Sequence, residues 1–286
     1  MINLWYEESY WGGRPSGPQR VVQNTIEALT QECIPYCKNA DKFKYNFLMQ
    51  YQHDIAVKNH ENLEHSSCII GPQFWPFDSY GQFLIENQDY YKKIIAPSDW
   101  VEDLFINKCG LSSDKVAVWP VGIQVPDLKC DNSIDCLVYH KGRDDKDLQS
   151  VSEFLQDKQI SYEILKYGSY SPSDFKNILS KVRFCIIIDG TESQGIAIQE
   201  MMAYNKPLLV WDVREWTYMG EQYKVDCSSV PYWSDRCGKK FFELSELKNS
   251  FEEFYDNLNY YEPKTLIDSD LSYSQSIKKL IKIFEK

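Results

Sequence analysis

Short apolar runs recur along the chain, separated by segments that contain Gly, Pro and Asp. The clearest pair is FCIII at 184–188 and LLVW at 208–211, and continuous runs of this kind are typical of parallel strands buried on both faces. Residues 195–204 between them have helical spacing, and Asn205 followed by Pro207 predicts where that helix ends. The order strand, helix, strand predicts a βαβ unit with parallel strands and a right-handed crossover.

The same pattern continues over most of the chain and predicts an α/β protein. Further strands are predicted at 2–6, 47–49, 68–70, before Pro97, from 115 to 119, at 135–139 and at 162–166. Further helices are predicted at 20–29, 99–108 (with Ser98 as its cap), 251–258 and 272–285. A polar stretch at 124–133, which contains Pro126, predicts a linker between two small domains.

Two glutamates stand eight positions apart in the βαβ unit. Glu192 lies in the loop that follows the first strand, and Glu200 lies inside the helix, roughly 10 Å away. Ligands bind at the carboxyl ends of parallel strands, and a helix N-terminus there attracts phosphate. Because a carboxylate can accept hydrogen bonds from a vicinal diol, the pattern favours a nucleoside diphosphate sugar. The alternative, two exposed charges on a surface helix, stays open.

At these residues the sequence resembles a known family. Residues 184–211 resemble the donor-binding segment of retaining GT-B glycosyltransferases of the glycosyltransferase 4 family, and residues 93–123 resemble the end of their N-terminal domain. The resemblance implies two Rossmann-like α/β domains with parallel sheets that face each other across a cleft. The expected divisions are an acceptor-side domain at 1–126, a donor domain at 127–270, and a C-terminal helix at 271–286 that packs back toward the first domain.

By this resemblance, Glu192 contacts the sugar and Glu200 contacts the ribose hydroxyls. The backbone amides of Gly195 and Ile196 hold the diphosphate. Ser193 and Gln194 belong to the same donor-binding stretch.

A basic loop follows the predicted strand at 135–139. By the resemblance, Lys141 and Arg143 grip the diphosphate, with Lys146 as a third candidate; Arg forks onto phosphate oxygens and Lys supplies a point charge. These cations and the helix N-terminus can replace a metal ion, so we expect no metal and no cofactor beyond the nucleotide sugar itself. A solvated charged loop is the alternative.

Four other residues are candidates on weaker grounds. Gly12 and Gly13 lie in a loop that resembles the family's N-terminal Gly-Gly loop near the reacting sugar, although a plain surface turn has the same pattern. Gln73 stands in the part of the first domain where family members often carry a His, so it is an acceptor-side candidate. Tyr167 follows the strand at 162–166 and is a candidate for stacking on the nucleotide base or for packing under a loop.

The composition excludes some classes of partner. A net charge of −11 argues against a nucleic-acid binder. Nine cysteines without a CxxC pair, no signal peptide and no apolar run of membrane-spanning length predict a reduced, cytoplasmic protein. The lysines of the helix at 272–285 leave a weak membrane-surface association open.

Together the residues and the resemblance predict an enzyme. It would transfer a hexose-type sugar from a nucleoside diphosphate sugar to a hydroxyl of a glycan or glycoconjugate acceptor, with retention and without a metal. A sugar-nucleotide epimerase and a non-catalytic nucleotide-sugar-binding protein are the alternatives. The nucleotide, the sugar, the acceptor and the oligomeric state stay open.

Overall fold

The computed structural model describes residues 1–8, 16–40, 43–49, 68–73, 76–77, 79–127 and 131–286. The chain forms two compact units. The first comprises Met1–Gln124 together with Leu271–Lys286, and the second comprises Val125–Asp270. Each unit is built on a parallel sheet, as the alternation of strands and helices predicts.

The strands and helices of the described residues are as follows. The strands are β1 (Ile2–Trp5), β2 (Tyr36–Lys38), β3 (Asn46–Leu48), β4 (Cys68–Ile70), β5 (Lys93–Ala96), β6 (Val116–Val118), β7 (Ile134–Lys141), β8 (Tyr162–Lys166), β9 (Val182–Asp189), β10 (Leu208–Trp211), β11 (Trp216–Tyr218), β12 (Glu221–Tyr223) and β13 (Gly238–Phe241). The α-helices are α1 (Gly17–Gln31), α2 (Ser79–Glu86), α3 (Asp99–Asn107), α4 (Asp145–Asp157), α5 (Pro172–Leu179), α6 (Ile196–Ala203), α7 (Leu247–Asp256), a single turn α8 (Lys264–Leu266) and α9 (Tyr273–Glu285). Short 3₁₀ turns lie at Gln88–Tyr90, Leu244–Glu246 and Leu258–Tyr260, and a π-helical turn at Ile267–Leu271.

The sheet of the first unit has the strand order β2-β1-β3-β4-β5-β6, with all neighbours parallel. Helix α1 begins at Gly17, three residues before the predicted start. Ser16 and Gln19 form a capping box, each side chain bonding the backbone N–H of the other residue. This reciprocal cap satisfies the first helical N–H groups and moves the start of the helix toward the loop.

Helix α9 packs tightly on the end of the first sheet. The Trp119 indole N–H donates to the Ser276 carbonyl (2.9 Å), and the Ser276 hydroxyl donates to the Pro120 carbonyl (2.9 Å). A Cβ on Gly122 would lie 2.8 Å from the Tyr273 Cα, so only glycine allows this approach. The apolar side of α9, which includes Leu280, is buried in this unit.

No described helix has both the length and the apolar character that crossing a membrane requires.

The sheet of the second unit has the strand order β13-β10-β9-β7-β8, again parallel throughout. One core cluster of this unit consists of buried strand residues packed against α4 and α7. The chain adds β8 on one side of β7 and then places β9 on the other side. The order therefore reverses between β7 and β9, and in open α/β sheets this switch point is where ligands bind, at the carboxyl ends of the strands.

Both central strands are longer than their apolar runs predict. Strand β9 includes Asp189, which the sequence pattern assigns to the break after the strand, and β7 includes His140 and Lys141, which the pattern assigns to a loop. These polar residues stay in the strands because they are paired across the sheet, with Lys141 opposite Asp189. Backbone hydrogen bonds to the neighbouring strand keep these residues in the sheet although their side chains are polar.

Other boundaries agree or differ by a few residues. Helix α6 ends before Asn205, whose positive φ of 55° confirms the predicted left-handed stop. Ser98 occupies the predicted N-cap position of α3, but its side chain makes no capping hydrogen bond to the helix. Helices α4 and α5 and the hairpin of β11 and β12 are not part of the sequence prediction.

Candidate functional site

The predicted donor-site residues of the second unit converge at the switch point of its sheet. Lys141 ends β7 and Asp189 ends β9, so the segments that follow both strands start side by side. The Gly190 N–H donates to the Lys141 carbonyl (3.0 Å), which joins the two segments directly. Strand order, and not proximity in the chain, therefore brings the basic loop to the Glu192 loop.

Lys141 and Glu192 form an ion pair between the two loops, with Nζ donating to Oε1. The Lys141 ammonium also lies 4.7 Å from the ring centroid of Tyr167. Burial lowers the pKa of Lys141, but its interactions with the neighbouring carboxyl groups, first that of Glu192 and then that of Asp189, outweigh burial and raise it. Lys141 is therefore a fixed, fully charged cation at neutral pH.

Arg143 is held at the same edge by two contacts. Its Nε donates to Asp147 Oδ2 (2.7 Å), and its guanidinium carbon lies 4.5 Å from the ring centroid of Trp211, the last residue of β10. Lys146 differs from these two cations, because it is exposed in the first turn of α4. Contacts to other side chains thus hold Lys141 and Arg143 at this edge, whereas Lys146 is exposed.

Two glycines allow the loops to touch. Gly142 has a φ of +65°, and a Cβ there would lie 3.4 Å from Asp189 Oδ1. A Cβ on Gly190 would lie 3.1 Å from the Gly142 carbonyl oxygen. Glycine at both positions lets the backbones approach closely, and the left-handed φ of Gly142 also disfavours a side chain there.

The amino end of α6 faces this edge with a glycine cap. Gly195 is left-handed (φ 77°) and provides no side-chain cap to the amides that begin with Ile196. The loop is fixed instead by two buried glutamines: Gln194 Nε2 donates to Gln199 Oε1, and Gln199 Nε2 donates to the Gln194 carbonyl, both at 3.1 Å. Ser193 in this loop is exposed.

The charges of Glu200 and Glu192 influence the pKa values of two hydrogen-bonded tyrosines. The Tyr170 hydroxyl donates to the Tyr139 hydroxyl at 3.4 Å. Burial raises the pKa of Tyr170, and the charge of Glu200 adds to this effect. Burial also raises the pKa of Tyr139, with smaller contributions from Asp189 and Glu192. The charge of Glu200 therefore reaches Tyr170 and that of Glu192 reaches Tyr139. Glu200 itself is half-buried on α6.

Sequence reasoning missed the group that holds the Glu192 loop, which is centred on buried Asp212. Its carboxylate accepts hydrogen bonds from the Ser228 hydroxyl (2.9 Å) and the Ser229 N–H (2.7 Å), and it pairs with Lys240 (2.7 Å). In turn, the Ser228 carbonyl accepts from the Glu192 N–H (3.1 Å). One signal in the sequence pointed here: Asp212 directly follows the buried run of β10, as Asp189 follows that of β9.

The candidates of the first unit are described only in part. Gly12 and Gly13 lie outside the described residues. Gln73 is half-buried just after β4, and its Nε2 donates to the Pro18 carbonyl (3.2 Å). The structure thus places Gln73 beside the first turn of α1.

Within the part of the chain that the structure describes, no three His, Cys, Asp or Glu side chains are grouped as a metal site.

No protein-family model matches the sequence, and comparison with curated proteins gives no match. Solved structures do match. The lipopolysaccharide outer core galactosyltransferase WaaB aligns with a TM-score of 0.62 at 10% identity, over 99% of this chain and 98% of WaaB. A glycosyltransferase from Rickettsia africae aligns with a TM-score of 0.60 at 10% identity, over 99% of this chain and 97% of that one.

A third match contains ligands. A Staphylococcus aureus TarM mutant, solved with fondaparinux, alpha-GlcNAc-glycerol and UDP, aligns with a TM-score of 0.51 at 12% identity. The alignment covers 85% of this chain but only 55% of the TarM chain, so this chain spans little more than half of TarM. At these identities the likeness concerns the fold: two Rossmann-like α/β units of the GT-B class, as the sequence predicts.

Proposed function

We propose that this protein is a glycosyltransferase that moves a sugar from a nucleoside diphosphate sugar to an acceptor hydroxyl. One observation carries the proposal. At the switch point of the second sheet, Lys141 pairs with Glu192 in the loop that leads to α6, and Arg143 contacts Trp211 at the end of β10. Glu200 lies on α6 itself. The two cations and the amino end of α6 suit a diphosphate, and the two glutamates suit sugar and ribose hydroxyls.

The chemistry follows from where charge develops. When the bond between the sugar and the phosphate breaks, the sugar gains positive charge and the leaving diphosphate gains negative charge. Fixed cations and helical N–H groups aimed at the diphosphate stabilise that charge without needing to reorganise during the reaction. We assign this role to Lys141, Arg143 and the Ile196 amide, while Glu192 positions the sugar and Glu200 accepts hydrogen bonds from the ribose.

Finer parts of the proposal rest on the sequence resemblance. These are a hexose as the transferred group, retention at the reacting carbon, a glycan or glycoconjugate acceptor and independence of metal ions. A cytoplasmic location is proposed from the cysteine pattern of the sequence.

A ligand screen followed by an activity assay tests the proposal. UDP, GDP, ADP and their sugars are added separately during thermal unfolding. A ligand at 100 times its Kd adds about 2.7 kcal/mol to the stability of the folded state. We expect one nucleotide family to raise the unfolding temperature and its sugar to be hydrolysed or transferred. Binding without turnover across acceptors would favour the non-catalytic alternative, and isomerised free donor sugar would favour the epimerase.

Replacing Glu200 by Gln is expected to weaken binding of the matching nucleoside diphosphate by about tenfold or more, because a hydrogen bond to a charged group contributes about 1.5–3 kcal/mol. The loss should be smaller for inorganic pyrophosphate, which has no ribose. Calorimetric titration of both ligands measures the difference. Glu163→Gln, an exposed substitution on β8, is the matched control. Equal losses of affinity for both ligands would show that Glu200 does not bind the ribose.

Transfer activity is expected to survive EDTA within about twofold, because the fixed cations stabilise the leaving diphosphate in the proposed chemistry. Initial rates before and after chelation, with and without added Mg²⁺ or Mn²⁺, provide the measurement. Complete loss of activity that Mn²⁺ restores would contradict the proposed chemistry.

A further inference from the structure

Asp189 closes β9 with a carboxyl group that is almost completely removed from water. The residue is 1% exposed, and its Oδ1 accepts a hydrogen bond of 2.7 Å from the Gly190 N–H. Its Oδ2 is buried and accepts no hydrogen bond from a donor among the residues that the structure describes, while the carboxyl group of Glu192 lies within hydrogen-bonding reach of Asp189. An ionised carboxylate in this position would be poorly solvated, so the geometry favours the neutral acid.

Asp189 and the groups that face it contain two carboxyl groups, those of Asp189 and Glu192, and one positive charge, that of Lys141. Tyr139 and Lys141 face it from β7, and Glu192 faces it from the loop after β9. The Lys141 ammonium pairs with Glu192 and not with Asp189. When two carboxyl groups share a site, one of them tends to keep its proton.

The pKa of Asp189 is consistent with this geometry. Burial, and then the negative charge of Glu192, raise the pKa of Asp189 to about 9, and the opposing charge of Lys141 does not offset them. The carboxyl is therefore neutral at pH 7. Because Oδ1 already accepts the Gly190 N–H, the proton is placed on Oδ2.

We propose that Asp189 is a positioning residue whose Oδ2 carries a proton and donates it as a hydrogen bond to the Glu192 carboxylate. The inference rests on the donor-binding function proposed above. When a diphosphate takes Lys141 as its partner, Glu192 loses its cation, and the hydrogen bond from Asp189 keeps Glu192 in place. If both carboxyls were ionised, the departure of Lys141 would leave two negative charges facing each other in a buried site.

The first test measures the proton without any ligand. Wild type and Asp189→Asn are unfolded by urea at a series of values from about pH 5.5 to about pH 8.5. A carboxyl whose folded pKa lies above its unfolded pKa stabilises the fold most below the unfolded pKa, and this contribution is lost as pH rises toward the folded pKa. The amide in the variant is neutral at every pH. We therefore expect the wild-type unfolding constant to rise, relative to the variant, by up to about tenfold per pH unit.

Asp135→Asn is the matched control, at the amino end of β7 in the same sheet. Burial raises the pKa of Asp135, but hydrogen bonds from Ser161 and Arg183 outweigh burial and lower it. The contribution of Asp135 to stability is therefore lost only in acid. The unfolding constant of Asp135→Asn should depend on pH in the same way as that of wild type over the tested range. A parallel curve for Asp189→Asn as well would overturn the proposal.

The second test measures the effect on the site, with UDP, GDP and ADP as the probes. We expect wild type to bind its nucleotide more weakly at about pH 9.5 than at about pH 7, as Asp189 ionises. Asp189→Asn should abolish this alkaline loss, because its amide still donates to Glu192. Asp189→Leu has a side chain of similar size that cannot donate a hydrogen bond. It should bind the nucleotide about tenfold more weakly than Asp189→Asn at both pH values.

The outcomes separate the two proposals. Equal nucleotide affinity in the Asn and Leu variants would overturn the positioning role of Asp189. A wild-type protein that binds none of the three nucleotides would contradict the proposed function, whereas the unfolding series would still decide whether Asp189 holds a proton.

Discussion

Replacing Lys141 by Ala is expected to lower the rate of sugar transfer by about 100-fold or more, the scale seen when one preorganised group that stabilises developing negative charge is removed. Lys141 is suited to this role because the ion pair with Glu192 and the contact with Tyr167 fix its position before any ligand arrives. Its charge is also secure, since the neighbouring carboxyls raise its pKa.

Steady-state transfer rates and calorimetric titration of the nucleoside diphosphate together measure this effect. Lys166→Ala is the matched control: Lys166 ends the neighbouring strand β8 and pairs with Asp145, but that pair is largely exposed. The control should keep wild-type rates. If the Lys141→Ala protein remains folded and its transfer rate stays within about fivefold of wild type, Lys141 does not stabilise the leaving group as proposed.

Replacing Asp212 by Ala is expected to destabilise the second unit by about 3–5 kcal/mol, the cost of removing one partner from a buried ion pair. The Asp212 side chain is 3% exposed and that of Lys240 is 20% exposed, so water does not compensate the remaining ammonium fully. The Ser229 N–H and the Ser228 hydroxyl also lose their acceptor. Such a loss is large against a typical total stability of about 5–15 kcal/mol.

The same substitution should weaken nucleotide binding, because the Ser228 carbonyl accepts the Glu192 N–H. Urea unfolding followed through the second unit, with nucleotide titration under folded conditions, measures both effects. Adding Lys240→Met to Asp212→Ala should recover part of the stability, since the double variant leaves no uncompensated ammonium. Equal stability of wild type and Asp212→Ala would show that the ion pair does not hold the Glu192 loop.

Much of the local structure could be predicted from the sequence. The runs at 208–211 and 162–166 became strands with the predicted bounds, and Asn205 ended α6 with a left-handed residue. These features depend on burial and backbone preference over a few neighbouring residues, which the order of apolar and polar positions records directly. The fold class follows from the alternation of such elements.

The predicted boundaries were wrong where a hydrogen-bonded partner, whether distant in the sequence or a few residues away, decides the outcome. Lys141 and Asp189 lie in strands and not in loops because each is paired with the other across the sheet. Helix α1 starts early because Ser16 and Gln19 cap it reciprocally. In both cases a hydrogen bond changed a boundary that hydrophobic pattern alone placed elsewhere.

The sequence by itself determined the α/β class, the βαβ unit around 184–211 and the residue types suited to a diphosphate and a diol. Only the tertiary structure decided that Lys141 pairs with Glu192, 51 positions away, and that Asp212 holds the loop of Glu192 through Ser228. The physical reason is the order of strands in the sheet. Periodicity reports whether a residue is buried, whereas the neighbour of a buried residue depends on which strand lies beside it and in which register.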